Sequence, residues 1–168
     1  MFKKGSIILV LLLFTLSVPG QQSMFKALFM FNFAKYIEWP TSSNQTEFVI
    51  GIYGNDDITP ELKKLAAARK INSKSIVVVN VKNPSEAANA NIFYIPSSKS
   101  GDIEKVTSFF KGKSTLIVTD KNGLCSKGAS INYVTQDGKM KFEISKTNIT
   151  KHNLKVDSKL ISLGIETK

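Results

Sequence analysis

Short apolar runs separated by turn-forming residues make up most of the chain. Runs rich in β-branched and aromatic residues predict buried strands at 48–53, 75–81, 92–95 and 115–119. Helices are expected between them at 61–70, with Thr59 as the N-cap, and at 85–90 and 102–110. Strands that alternate with helices in this way favour a largely parallel sheet that is covered on both faces.

Residues 24–39 carry large apolar side chains on nearly every side of a helical projection, and Pro40 follows them. This pattern is typical of a helix that is packed on most of its surface and ended by a proline. The alternative, a membrane-spanning segment, is disfavoured by Lys26 and Lys35. We therefore expect a helix of the core or a helix that faces a partner.

The C-terminal third has a different pattern, with two strand-like runs within residues 130–144. They flank Asp137-Gly138, a strong signal for a two-residue hairpin turn. Pairing about this turn places Tyr133 opposite Phe142 on one face. An antiparallel hairpin is therefore expected to close the sheet.

Two short helices are expected after the hairpin, at 147–151 and at 158–163, the second with Asp157 as its N-cap. No repeat, linker or low-complexity stretch divides the chain. The predicted fold class is α/β: a sandwich of a mostly parallel, mixed β-sheet of about six strands flanked by helices, with a C-terminal antiparallel hairpin.

The first residues predict a cleaved export signal. Two lysines precede an unbroken apolar run from Ile7 to Phe14, and small residues around Gly20 suit a signal peptidase. That run is shorter than the roughly 18 to 20 residues that span a bilayer, which disfavours an uncleaved anchor. The predicted organisation is a signal peptide at 1–22 and one domain at 23–168 that works outside the cytoplasm.

The chain is basic, with a formal net charge of +10, and the positive charge comes almost wholly from lysine because Arg69 is the sole arginine. Nucleic-acid surfaces usually rely on arginine for bidentate contacts, and an exported protein seldom meets nucleic acid. We therefore expect a solvated lysine surface and no nucleic-acid partner. Attraction to anionic headgroups or to an acidic partner stays open.

Few groups could carry catalysis, because the sequence has one cysteine, Cys125, and one histidine, His152. The two could pair as nucleophile and base, but nothing in the sequence orients either one. A lone cysteine in a turn is more often a small buried side chain. His152 lies among polar residues and is expected at the surface. We expect neither an enzyme nor a bound metal or cofactor.

Asp56-Asp57 follows the first predicted strand, as the acidic pair of magnesium-binding receiver domains does. Such a domain also needs an aspartate at the end of its central strand, and here that strand ends at Val81-Lys82. Turn formation and helix capping are therefore the expected roles of the acidic pair.

Several sequence blocks resemble YfiR-type periplasmic proteins. The segment KALFMFNFAKYIEWP from Lys26 is similar to the first helix of that family. Further blocks follow in the family's order: FVIGIYGND from Phe48, NIFYIPSS from Asn91, TLIVTD from Thr115, KGASINYV from Lys127, KMKFEIS from Lys139 and LKVDSKLISLG from Leu154. Together they span nearly the whole domain, and the first block and the last two are the most specific.

The resemblance implies a periplasmic protein of a Gram-negative bacterium, commonly a homodimer, that is not an enzyme. The best understood relative is a repressor that binds the periplasmic part of an inner-membrane diguanylate cyclase and so limits cyclic di-GMP and biofilm formation. A sensor histidine kinase or an outer-membrane system is the alternative partner.

The chain departs from the family pattern in its cysteines. Relatives carry cysteine pairs, with one member in the strand corresponding to 90–95 and one near Asn132, whereas this chain has Cys125 alone. Control by an intrachain disulfide is therefore not expected. A bridge between two chains through Cys125 is the redox alternative.

Two sets of site residues are expected. In the first, the hairpin face around Ile131, Glu143 and Ile149 forms a partner-binding surface. Glu143 and Lys155 are its polar specificity points, because opposite charges at the edge of an apolar region set register and on-rate; an ordinary surface ion pair is the alternative. In the second set, Glu143, Lys155 and Asp157 bind a small aromatic or anionic effector in a ligand-sensing module, with Lys155 as the counter-charge.

Overall fold

The computed structural model describes residues 19–40 and 45–167. Most of the predicted signal peptide lies outside the described residues. The helices of the described part are α1 (Pro19–Tyr36), α2 (Ile58–Ala68), α3 (Ile103–Phe109), α4 (Lys146–Lys151) and α5 (Ser158–Leu163). None of these helices is long and apolar enough to cross a membrane.

The strands of the described part are β1 (Ile37–Glu38), β2 (Glu47–Tyr53), β3 (Lys70–Ile71), β4 (Lys74–Val81), β5 (Ile92–Ile95), β6 (Leu116–Thr119), β7 (Ile131–Gln136), β8 (Lys139–Ile144), β9 (Lys155–Val156) and β10 (Ile165–Glu166). An eight-stranded sheet has the order β10-β8-β7-β6-β5-β2-β4-β3, and β1 pairs with β9 in a small antiparallel sheet. From β4 to β7 the neighbouring strands of the large sheet run parallel, and β8 runs antiparallel to β7.

The predicted fold class is confirmed. The large sheet has eight strands rather than about six, because the two-residue strands β3 and β10 extend its edges. Strands this short carry no pattern of their own in the sequence. They form because the neighbouring long strand offers backbone groups to pair with.

The apolar runs of β2, β5 and β6 are buried on both faces, as predicted, whereas β4 is mostly half-buried. One face packs against α1, α2 and α5 through residues such as Phe33, Ile58 and Leu160. The other face packs against α3 and the segment before β5 through residues such as Phe110 and Ala87. Enclosure on both faces explains why these strands are continuous apolar runs rather than alternating ones.

The predicted hairpin is confirmed in its register, because Tyr133 pairs with Phe142. Asp137 and Gly138 form its turn with φ angles of 52° and 70°, the left-handed values that this kind of two-residue turn requires. Helix α1 crosses one face of the hairpin, where the Phe33 ring lies 4.9 Å from the Phe142 ring.

Several predicted boundaries are wrong, and the helix expected at 85–90 is a short 3₁₀ helix at Pro84–Ala87. Helix α1 ends at Tyr36 rather than at Trp39, because the next two residues pair with β9. Helix α2 begins at Ile58, before the predicted cap Thr59. The Asp56 carboxylate accepts a hydrogen bond from the Ile58 amide at 2.9 Å and so satisfies a free donor at the start of this helix.

Candidate functional site

The apolar residues predicted to bind a partner lie in the core. Ile131 is in β7 and Ile149 is in α4, and both side chains are fully buried. The expectation that they form an exposed surface is wrong, because both belong to the apolar cluster that packs with α1. Their role in partner binding stays a prediction, and in this conformation it does not involve direct contact.

Glu143, Lys155 and Asp157 lie in three different settings. The Glu143 carboxylate, in β8, accepts a hydrogen bond from the Asn132 side-chain amide at 3.0 Å. Lys155 pairs through its backbone with β1 and is exposed. Asp157 is the N-cap of α5, as predicted, and its carboxylate accepts a hydrogen bond from the Lys159 amide at 2.8 Å. Within the described residues Glu143 and Lys155 do not form an ion pair, and the binding roles of all three residues stay predictions.

A cavity of about 430 Å³ lies between the N-terminal half of α1 and the hairpin turn, and we call it the α1–hairpin groove. Its lining residues are Phe25, Phe29, Thr135, Gly138, Lys139 and Met140, together with Gln21 and Gln22, which fall within the predicted signal peptide. Met24 and Phe25 are each 41% exposed. Phe25 lines the cavity, and a large exposed apolar side chain in a cavity of this size is typical of a binding surface.

Aromatic packing positions α1 over the hairpin. Phe29 and Phe33 are four residues apart and lie on one face of the helix. Their ring centroids are 5.7 and 4.9 Å from that of Phe142. Phe25 lies one turn before Phe29 and continues this row out of the core to the groove. The same helical face therefore holds the hairpin at one end and lines the groove at the other.

A polar cluster lies beside the groove, near the carboxyl ends of the parallel strands. The Lys26 ammonium pairs with the Asp120 carboxylate at 2.5 Å, and the Tyr94 hydroxyl donates to the same carboxylate at 3.3 Å. The Tyr133 hydroxyl donates to the backbone carbonyl of Lys26 at 2.7 Å. A second cavity, of about 310 Å³, lies at this cluster and shares with the groove the residues Gln22, Thr135 and Met140. The two cavities are neighbours, one mainly apolar and one polar.

Burial governs the protonation of the acids and phenols around this cluster. It raises the pKa of Asp56, whereas a backbone hydrogen bond and the positive charge of Lys26 act to lower it. Burial also raises the pKa of Tyr94 and Tyr133, and the nearby charge of Asp120 adds to both effects. The two phenols therefore act as neutral hydrogen-bond donors that hold α1 and Asp120 in place.

The acidic pair Asp56-Asp57 does not complete a site of the receiver type. The strand that was expected to be central is β4, which lies second from the sheet edge. The more central strand β5 is followed by Pro96-Ser97 rather than by an aspartate. In the part of the chain that the structure describes, no group of three or more His, Cys, Asp or Glu side chains could hold a metal ion.

Both residues considered as nucleophile and base are buried. Burial raises the pKa of the Cys125 thiol to about 12, so the thiol stays protonated and is a poor nucleophile. With 4% of its surface exposed, Cys125 is also inaccessible to a second chain. The expectation that His152 lies at the surface is wrong, because α4 ends against the loop before β6 and the ring Nδ1 lies 3.2 Å from the Lys113 carbonyl oxygen.

The sequence interpretation missed the ion pair between Lys26 and Asp120. These residues are 94 positions apart, and only the sheet topology brings the end of β6 to α1. Two signals were present: a lysine within an otherwise apolar helix, and an aspartate at the carboxyl end of a buried strand, where open α/β sheets place their ligand-binding loops. Neither signal indicates the other residue.

The fold and the groove define a mixed α/β domain with a candidate binding surface. The model of the YfiR/HmsC-like family (DUF4154) matches residues 23–165. The chain therefore belongs to the YfiR/HmsC-like family, and the resemblance noted in its sequence blocks is confirmed. This family is regulatory and non-catalytic, its proteins are periplasmic, and membership suggests a regulator of diguanylate cyclases.

Among solved structures, a conserved domain protein from Vibrio cholerae is similar to this chain, with a TM-score of 0.50 and 12% sequence identity. The match covers 73% of this chain and 55% of the other, so the chain spans about half the length of that protein. At this identity the likeness supports the fold alone. No curated protein matches the chain.

Proposed function

We propose that this protein binds and restrains the periplasmic domain of an inner-membrane diguanylate cyclase and so limits cyclic di-GMP and biofilm formation. The family match over residues 23–165 is the observation that carries the proposal. The α1–hairpin groove supports it, because Phe25, which lines the groove, offers exposed apolar surface to a partner. The proposal includes the homodimer and the cleaved signal at 1–22 that the sequence led us to expect.

The test compares cyclic di-GMP in a bacterium that carries the gene with the level after deletion of the gene. Deletion should raise cyclic di-GMP, and the full chain supplied in trans should lower it again. A variant that lacks residues 1–22 should not lower it, because without an export signal the protein stays in the cytoplasm. The same cyclic di-GMP level with and without the gene would refute the proposed function.

Glu143 is our proposed polar specificity point for the partner. Cross-linking in the envelope, followed by recovery of a membrane cyclase with the tagged chain, measures its contribution. Glu143→Lys should reduce the recovery more than Glu143→Gln, because the amide can still form a hydrogen bond with Asn132. Equal recovery by the wild type and both variants would remove Glu143 from the interface.

A small-molecule sensor is the second candidate function, and the volume of the α1–hairpin groove favours it. About 430 Å³ falls within the range of roughly 300 to 1,000 Å³ that is usual for small-ligand sites. A panel of aromatic and anionic compounds can be screened by thermal shift, since a ligand of the native state raises Tm with its concentration. A flat panel would eliminate this candidate.

The variants Phe25→Ala and Lys155→Ala assign any ligand found in that screen to a site. Loss of the thermal shift in Phe25→Ala places the ligand in the groove. Loss of the shift in Lys155→Ala instead supports the predicted set of Glu143, Lys155 and Asp157. Both side chains are exposed, so neither change is expected to unfold the protein.

A further inference from the structure

The outer edge of β8 is open over most of its length. Strand β10 pairs with β8 at Glu143 and Ile144. Within residues 19–40 and 45–167, no strand pairs with residues 139–142 on the side away from β7. An open strand edge presents backbone N–H and C=O groups with which another chain can pair. This edge is therefore available for the addition of a strand.

The side chains along this edge differ between the two faces of the sheet. Met140 and Phe142 lie on the face that α1 covers, and Met140 lines the α1–hairpin groove together with Phe25. Lys139 and Lys141 alternate with them, so Lys141 belongs to the other face, whereas Lys139, next to the turn, also lines the groove. A strand added here would meet apolar side chains on one face, Lys141 on the other and Lys139 next to the turn.

The lysines discriminate between occupants of this edge. Among the described residues, Lys139 and Lys141 form no ion pair with a carboxylate, and Lys141 donates to the Gln136 side chain at 2.8 Å. A second copy of the chain at the same edge would bring its own lysines against these, and like charges on facing strands are destabilising. A strand that carries acidic side chains is favoured instead, and the excess of lysine over acidic residues in the chain adds to its attraction.

We propose that residues 139–142 of β8 form a docking edge that takes up an extended acidic segment of the partner protein by β-strand addition. Alternate apolar side chains of the segment enter the α1–hairpin groove beside Phe25 and Met140. The acidic side chains between them lie opposite Lys139 and Lys141. The identity of the partner rests on the proposed function, whereas the chemistry of the edge does not.

A short synthetic peptide of alternating valine and glutamate, labelled for fluorescence anisotropy, tests this docking edge on the protein purified from the periplasm. Lys139→Glu/Lys141→Glu should weaken the binding of this peptide by about tenfold or more and favour a valine–lysine peptide instead. The control Lys63→Glu/Lys105→Glu makes the same charge change at exposed helical positions and should bind like the wild type. Equal weakening in both double variants would mean that only net charge is sensed, and the proposal would fail.

Hydrogen exchange distinguishes strand addition from loose attraction. The valine–glutamate peptide should slow exchange of the Met140 and Phe142 amides, which face away from β7, whereas a peptide of the same composition with its glutamates in one block should not. Absence of this local protection overturns the proposal. Protection that instead rises with protein concentration, without peptide, would assign the edge to a second copy and would also overturn it.

The cyclic di-GMP assay with the same variants separates failure of the docking edge from failure of the proposed function. The docking edge and the proposed function are both supported if the wild type and Lys63→Glu/Lys105→Glu lower cyclic di-GMP but Lys139→Glu/Lys141→Glu does not. If all three lower it equally, the docking edge is wrong and the proposed function holds. If the wild type has no effect, the proposed function fails, and the peptide experiment alone decides the edge.

Discussion

The parallel half of the sheet and the C-terminal hairpin are covered in different ways. Every residue of β5 and β6 is buried, because helices pack on both faces of these strands. In the hairpin, β7 is buried only at its start, and β8 is buried only at Phe142 and Ile144. The hairpin therefore keeps one face and one edge for other contacts, and the parallel half does not.

This difference shows which positions can accept a polar substitution without disrupting the core. A polar residue on either face of β5 would be buried and would need a hydrogen-bond partner. On the open face of the hairpin, Lys141 and Glu143 are only half-buried, and each finds a polar neighbour. We therefore expect partner specificity to be encoded on the open face and edge of the hairpin rather than in the parallel half.

The largest effect is expected where one side chain joins the hairpin to α1. Phe142→Ala should lower the free energy of unfolding by about 3–5 kcal/mol, because its ring is buried against Phe29 and Phe33. Denaturation in urea measures this loss. Phe110 is buried under the parallel half of the sheet, so Phe110→Ala is the matched control that removes an equally buried ring there.

Hydrogen exchange on these two variants tests whether the hairpin and the parallel half unfold separately. Phe142→Ala should deprotect α1 and the hairpin first, and Phe110→Ala should deprotect α3 and the parallel strands first. The same pattern of deprotection in both variants would show that the two regions open as one unit.

A smaller effect is expected at Gly164, where the chain closes on the hairpin before β10. A Cβ at this position would lie 2.5 Å from a ring carbon of Phe142. Gly164→Ala should therefore destabilise the protein by about 1–3 kcal/mol, since the buried ring has little room to move. Gly101→Ala, where no heavy atom lies within 4 Å of the added carbon, should change stability by less than about 0.5 kcal/mol. Equal effects of the two changes in urea denaturation would disprove close packing at Gly164.

The ion pair between Lys26 and Asp120 links the two regions, because it ties α1 to the end of β6. A double-mutant cycle with Lys26→Met and Asp120→Asn should give a coupling energy of about 1 kcal/mol, since both side chains are largely but not fully buried. A coupling energy indistinguishable from zero would show that this ion pair does not help to hold α1 on the sheet.

The smallest effect expected is a pH dependence that arises in α4. Burial lowers the pKa of His152 from its ordinary value of 6.5, so the folded protein binds fewer protons than the unfolded chain in this range. The free energy of unfolding should be constant above that value and should fall as pH drops through it toward the lowered pKa. His152→Asn should flatten this dependence below the ordinary histidine pKa of 6.5. An unchanged slope in the variant would assign the effect to other groups.

Much of the fold could be predicted because its signals are local. The turn at Asp137-Gly138 and the alternation on either side of it specify the hairpin register, since a shift by one residue would turn Phe142 out of the core. The end of α1 could not be predicted in the same way. The two residues after Tyr36 continue an apolar pattern, and their strand conformation depends on β9, which lies more than a hundred residues away in the sequence.

The candidate site was less predictable than the fold. Ile131 and Ile149 are as apolar as Phe25, and the pattern alone does not show that the first two are covered while Phe25 is exposed. Likewise, the sequence contains Lys26 and Asp120 but does not show that they meet.

The class of fold, the order of the longer elements and the family could be predicted from the sequence alone, because these depend on periodicity, turn chemistry and blocks of residues read along the chain. The tertiary structure alone decided which apolar side chains are covered, which charges pair and which strand edge stays open. The physical reason is that burial and Coulomb interactions depend on distance in space, and the topology of the sheet, rather than separation along the chain, sets that distance.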